Sequence, residues 1–169
     1  VLAIVLLNGA DGETLAGPEI EKILKDRPDD VMALHVDGKL LAVGGKFDEA
    51  LERFKLARSL GTPLGMQNDY AEALLFKTTP RPRLAIEELT TFIDRAGNRP
   101  AACQPLVLRA IAWALEEEID RGGADVKKAV ELGGWAALRV AKIYRRRGLV
   151  DDDVLHRLRD AAGLGDWGR

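Results

Sequence analysis

Apolar positions along the chain recur at spacings of three and four, the repeat of a helix face, and alternating strand-like runs are absent. Gly and Pro clusters punctuate this pattern at short intervals. Asn8–Gly12, Arg27–Asp30, Gly44-Gly45, Gly61-Thr62-Pro63, Thr78–Pro82, Gly97–Pro100, Gly122-Gly123, Gly133-Gly134 and Gly148 act as the breaks. The pattern predicts helices near 1–8, 17–26, 31–43, 47–60, 66–78, 83–96, 104–121, 124–132, 135–147 and 151–162. Ten short helices with short loops predict five antiparallel hairpins, approximately 1–28, 29–63, 64–100, 101–134 and 135–165.

The hairpins share a register. From a small or apolar residue on each first helix, steps of 12, 4 and 3 reach small or apolar residues on its partner. The series are Ile4, Ala16, Ile20, Ile23; Gly38, Ala50, Phe54, Ala57; Ala73, Ala85, Leu89, Phe92; and Ala110, Gly122, Val126, Ala129. The last, Ala141, Val154, Leu158, Ala161, needs one extra turn residue. Successive units are offset by 34, 35, 37 and 32 residues. Small residues facing each other let two helix backbones approach closely, so the expectation is one repeat domain over 1–169.

The stretch Leu34-x-x-x-Gly38-x-x-Leu41, Gly45-x-Phe47-Asp48-Glu49-Ala50-x-x-x-Phe54-x-x-Ala57, then Pro63, resembles a tetratricopeptide repeat, although Asp37 stands where that family usually has Leu. Lys128–Gly133 leading to Ala141, Tyr144 and Gly148 resembles the related Sel-type repeat. The resemblance implies an all-α, right-handed solenoid whose first helices line a concave surface that binds protein segments. It also implies the contact positions: His35 and Lys39; Tyr70 and Lys77; Val107, Ile111 and Leu115; and Lys142, Arg145 and Arg146. These describe a groove with an apolar middle and basic ends, suited to an acidic segment with apolar anchors. Pentatricopeptide repeats, which read RNA, share part of the pattern. An accessory helical domain of a larger enzyme is the other alternative.

Composition narrows these readings. Among 169 residues, 47% are hydrophobic, 31% charged and only 5% aromatic, which suits a packed helical protein rather than a disordered one. A formal charge of -2 and no basic stripe on successive hairpins argue against nucleic acid. No run approaches the roughly 20 apolar residues of a membrane span, and Val1–Leu7 lacks the marks of a signal peptide. One cysteine demands no oxidising compartment, so the expectation is cytoplasmic. The missing initiator Met points to a fragment of a longer protein, and abundant Ala, Gly and Arg suit a GC-rich bacterial genome.

Candidate chemistry is sparse. No Gly-rich phosphate loop occurs. His35 and His156 lie in different hairpins without acidic or thiol ligands at metal spacing, so each reads as a surface or groove histidine. Cys103 sits at a helix start that could lower its pKa, with a small, partly buried residue as the alternative. Glu116–Glu118 would diverge on a continuous helix, while Asp151–Asp153 and Arg145–Arg147 suit a helix start and a helix end. The expectation is a binding module with no catalytic residue, cofactor or metal.

Overall fold

The computed structural model describes residues 12–61, 66–134 and 138–165, with side chains from residue 17 onward. The predicted helix at 1–8, Trp135 and Trp167 lie outside them. All regular structure in the described residues is helical: α1 (Gly12–Asp26), α2 (Val31–Val43), α3 (Phe47–Ser59), α4 (Gln67–Phe76), α5 (Pro82–Ala96), a 3₁₀ turn (Pro100–Ala102), α6 (Cys103–Leu115), α7 (Ile119–Gly133), α8 (Arg139–Arg146) and α9 (Asp152–Ala161). The all-α class is therefore observed. None of these helices is long and apolar enough to cross a membrane.

Local chemistry sets the boundaries. Asp30 caps α2, its Oδ1 accepting the Ala33 N–H at 2.9 Å, and Asp151 caps α9 in the same way from Val154 at 2.8 Å. Each such cap contributes about 1 kcal/mol. Four helix ends share one turn, in which a left-handed residue lets two backbone N–H groups fold back onto the last helical turn; at the end of α9, Gly163 (φ 65°) donates to Asp160 and Leu164 to Arg159. After α2, Gly45 (φ 77°) donates to Ala42 and Lys46 to Leu41. After α8, Gly148 (φ 68°) donates to Arg145 and Leu149 to Tyr144. After α6 the same bonds run from Glu117 to Ala114 and from Glu118 to Trp113, with Glu117 at φ 61°.

The turn after α6 corrects the expected helix 104–121, which ends at Leu115. Gly122-Gly123, expected as the break, lies inside α7. Glycine interrupts a helix only when nothing offsets its loss of about 1 kcal/mol, and here packing does. A Cβ on Gly122 would stand 2.9 Å from the Ala110 carbonyl oxygen and closer still to Leu158 Cδ2; one on Gly123 would stand 2.6 Å from Ala161.

The chain divides into two compact units. One holds the described residues to Ala73 together with Lys77–Thr79, the other Leu74–Phe76 and everything from Pro80. In the first, α2 packs on α3 and on α1. Leu34, Ala50, Phe54 and Ala57 form its core with Ile20, and Gly38 lies so near Phe54 that an added Cβ would meet the ring at 2.5 Å. In the second, α6 packs on α7 and α5, and α7 packs on α9. Leu89, Leu108, Ala110, Val126, Ala129 and Leu158 are buried there, and the Phe76 and Tyr144 rings meet at 5.2 Å. Full burial of each large apolar side chain contributes about 1.5–3 kcal/mol.

The α2–α3 and α6–α7 pairs also carry matching ion pairs. Arg53 Nε on α3 lies 2.6 Å from Asp37 Oδ2 on α2. Arg109 on α6 grips Asp125 on α7 with two bonds of 2.7 Å and donates a third, of 3.0 Å, to Thr90 on α5. In both pairs the partners are 16 residues apart, with acid and base exchanged.

Candidate functional site

The first unit engages its expected contact residues internally. His35 is buried rather than a surface or groove residue: its Nε2 lies 3.0 Å from Asp69 Oδ2 and its ring meets Phe54 at 5.3 Å. Lys39 Nζ is 3.6 Å from the same oxygen. The Arg58 guanidinium lies over the half-buried Tyr70 ring at 5.4 Å. Lys77 Nζ meets Asp48 Oδ1 at 2.9 Å, and Asp48 Oδ2 accepts both the hydroxyl and the N–H of Thr78, at 2.7 and 3.1 Å. These partners, Thr78 foremost, lower the Asp48 carboxyl to about 2.

In the second unit Val107 and Ile111 are buried. They fill core positions and offer a partner no surface, because both lie on the side of α6 that its neighbours cover. Leu115, at the end of α6, is exposed. Lys142, Arg145 and Arg146 are all exposed on α8. Arg145 pairs with Asp152, one bond being Nη2 to Oδ2 at 2.9 Å. Among the described residues Lys142 and Arg146 have no ion-pair partner.

Lys142 and Arg146 belong to a wider face. Arg139, Lys142, Ile143 and Arg146 follow the i, i+3, i+4, i+7 spacing that puts residues on one side of a helix, and all are exposed, Ile143 to 52%. Three cations thus frame an uncovered isoleucine. The sequence reading took Lys142, Arg145 and Arg146 by repeat position and missed Ile143 and Arg139, which the helical spacing alone would have added.

A second feature went unread. Arg83, Ile86 and Glu87 at the start of α5, Trp113 and Glu116 at the end of α6, Glu118 in the turn and Arg121 in α7 line an open cleft of about 300 Å³. Arg83 Nε donates to Glu116 Oε2 at 2.7 Å, which raises the guanidinium pKa. The Arg121 guanidinium sits 4.8 Å from the Trp113 ring centroid, with Nε 3.7 Å from Glu118 Oε2. A continuous helix over 104–121 sends the three glutamates apart. The observed turn brings Glu116 and Glu118 to the same cleft as Trp113.

Cys103 is half-buried, its Sγ 3.6 Å from the Ala129 carbonyl oxygen, and burial pushes its thiol pKa up rather than down. Among the described residues no three His, Cys, Asp or Glu side chains gather as metal ligands. Compared with known proteins, the chain matches no family model, no curated protein and no solved structure.

Proposed function

We propose that the chain is a module of tetratricopeptide-like hairpins that binds an acidic protein segment carrying an apolar anchor. The observation that carries this reading is the face of α8. Arg139, Lys142 and Arg146 surround the exposed Ile143, so this face joins three cations to an apolar side chain at its centre. The cations steer and orient an acidic segment, while Ile143 contributes apolar contact at the centre. The repeat reading draws support from the shared turn geometry and from close approaches at two of its small positions, Gly38 to the Phe54 ring and Gly122 to the Ala110 backbone.

The test is an array of acidic peptides with one or two Leu or Phe anchors, probed with the labelled full chain. Wild type is expected to retain a subset. Lys142→Glu with Arg146→Glu should lose that subset and slow association, and Ile143→Asp should lose it by placing a charge at the apolar centre. Circular dichroism should be unchanged, because all three positions are exposed. No retention by wild type, or equal retention by every variant, rejects the reading.

A further inference from the structure

We propose that the cleft at the start of α5 receives an arginine side chain of a partner protein, and that Arg83 and Arg121 are internal place-holders for it. The inference stands on the cleft alone and survives failure of the acidic-segment reading of α8.

Two subsites in the cleft already hold a guanidinium. Glu116 is recessed, its side chain 21% exposed, yet its counter-ion Arg83 is 85% exposed and reaches in from the surface. Arg121, 62% exposed, lies across the Trp113 ring at 4.8 Å. Both are long, largely solvent-exposed side chains, so rotation about their own bonds would free the two subsites. With them turned outward, Glu87, Glu116 and Glu118 surround a half-buried indole. An arginine complements that setting in both of its recognition modes: a planar fork for a carboxylate and a flat cation for an aromatic face. With the two arginines turned outward, an anion would instead meet three carboxylates. About 300 Å³ accommodates one long side chain, at the lower end of the range for ligand pockets.

The experiment titrates the full chain with a short glycine-flanked arginine peptide, its citrulline counterpart, which keeps the shape without the charge, and its glutamate counterpart. The indole N–H resonance of Trp113, assigned through Trp113→Phe, reports occupancy. The arginine peptide should shift this resonance, and the citrulline peptide should do so at least about tenfold more weakly. Removing the place-holders with Arg83→Ala and Arg121→Ala should tighten arginine binding about threefold or more, because the competent open state becomes the dominant one. Glu116→Gln should weaken it. The proposal is overturned if citrulline binds as well as arginine, if no peptide moves the resonance, or if the glutamate peptide binds and loses that binding in the double arginine variant. The last outcome would make the cleft an anion site. The wild-type comparison of arginine with citrulline decides the matter even if a variant disturbs folding.

Discussion

Gly123 of α7 lies against the backbone of Ala161 in α9 so closely that a methyl group on Gly123 would stand 2.6 Å from both the Ala161 carbonyl carbon and its Cβ. Helix propensity alone favours alanine over glycine by about 1 kcal/mol. The opposing element here is main chain, which cannot rotate away, and overpacking of this kind costs about 1–3 kcal/mol. Gly123→Ala is therefore expected to lower the melting temperature. Thermal unfolding of the variant checks this, and a rise in melting temperature would refute the close α7–α9 contact.

The two ion pairs differ in shelter, and this sets their contributions. Arg109 is 16% exposed and bound to both oxygens of Asp125, while Arg53 is 48% exposed. Asp125→Ala leaves a largely buried guanidinium without its carboxylate and is expected to cost about 3 kcal/mol. Arg53→Ala is expected to cost less than about 1 kcal/mol. Exchanging the charges, Arg109→Asp with Asp125→Arg, should recover part of the loss. Denaturant unfolding gives all three values, and equal losses at the two sites would contradict the burial difference.

Glu117 occupies the left-handed position that Gly45 and Gly148 hold in the sister turns. A residue with a Cβ sits there at a cost of about 1 kcal/mol or more. Glu117→Gly is therefore expected to stabilise the protein and to raise its melting temperature by about 2–4 °C. Gly45→Ala should do the reverse. A fall in melting temperature for Glu117→Gly would show that the carboxylate offsets the strain.

Asp48 predicts an acid-sensitive contact. Its carboxyl is lowered from 3.8 to about 2 by bonds to Thr78 and Lys77. A depressed folded-state pKa contributes stability that is fully present above the unfolded value and is lost as pH falls through the folded one. The Thr78 amide resonance should accordingly hold steady above pH 4 and titrate with a midpoint near 2, as the bond to Asp48 Oδ2 is lost. The step should disappear in Asp48→Asn. A midpoint near 4 would mean that these bonds do not persist in solution.

The helices were legible because a 3.6-residue period and Gly–Pro punctuation are local signals, and of the five expected hairpins α2–α3 and α6–α7 pack closely as pairs. The range 31–43 matches α2 to the residue, and Ala50, Ala57, Ala85, Ala110 and Ala129 are all fully or almost fully buried. The turn after Leu115 was not legible. Three glutamates carry no breaker signal, and the true turn depends on Glu117 adopting a conformation usually left to glycine. The adjacent Gly122-Gly123 then looked like the break, although a glycine kept for close backbone approach and one kept for a turn are identical in sequence. The same ambiguity decided the candidate contacts. Val107, Ile111 and Leu115 sit on one helix at spacings of four, and only the neighbouring helices determine that the first two are covered and the third is not.

The exchanged ion pairs also distinguish the native helix pairings from crossed ones. Helices that share a register can mispair, and a nascent α2 that met α7 instead of α3 would set Asp37 against Asp125 at the shared position. The complementary error, α6 on α3, would set Arg109 against Arg53. Each native pairing joins opposite charges at that point and each crossed pairing joins like ones. At this one position charge therefore favours the native pairings over the crossed ones, more strongly at the sheltered Arg109–Asp125 pair than at the exposed Arg53–Asp37 pair.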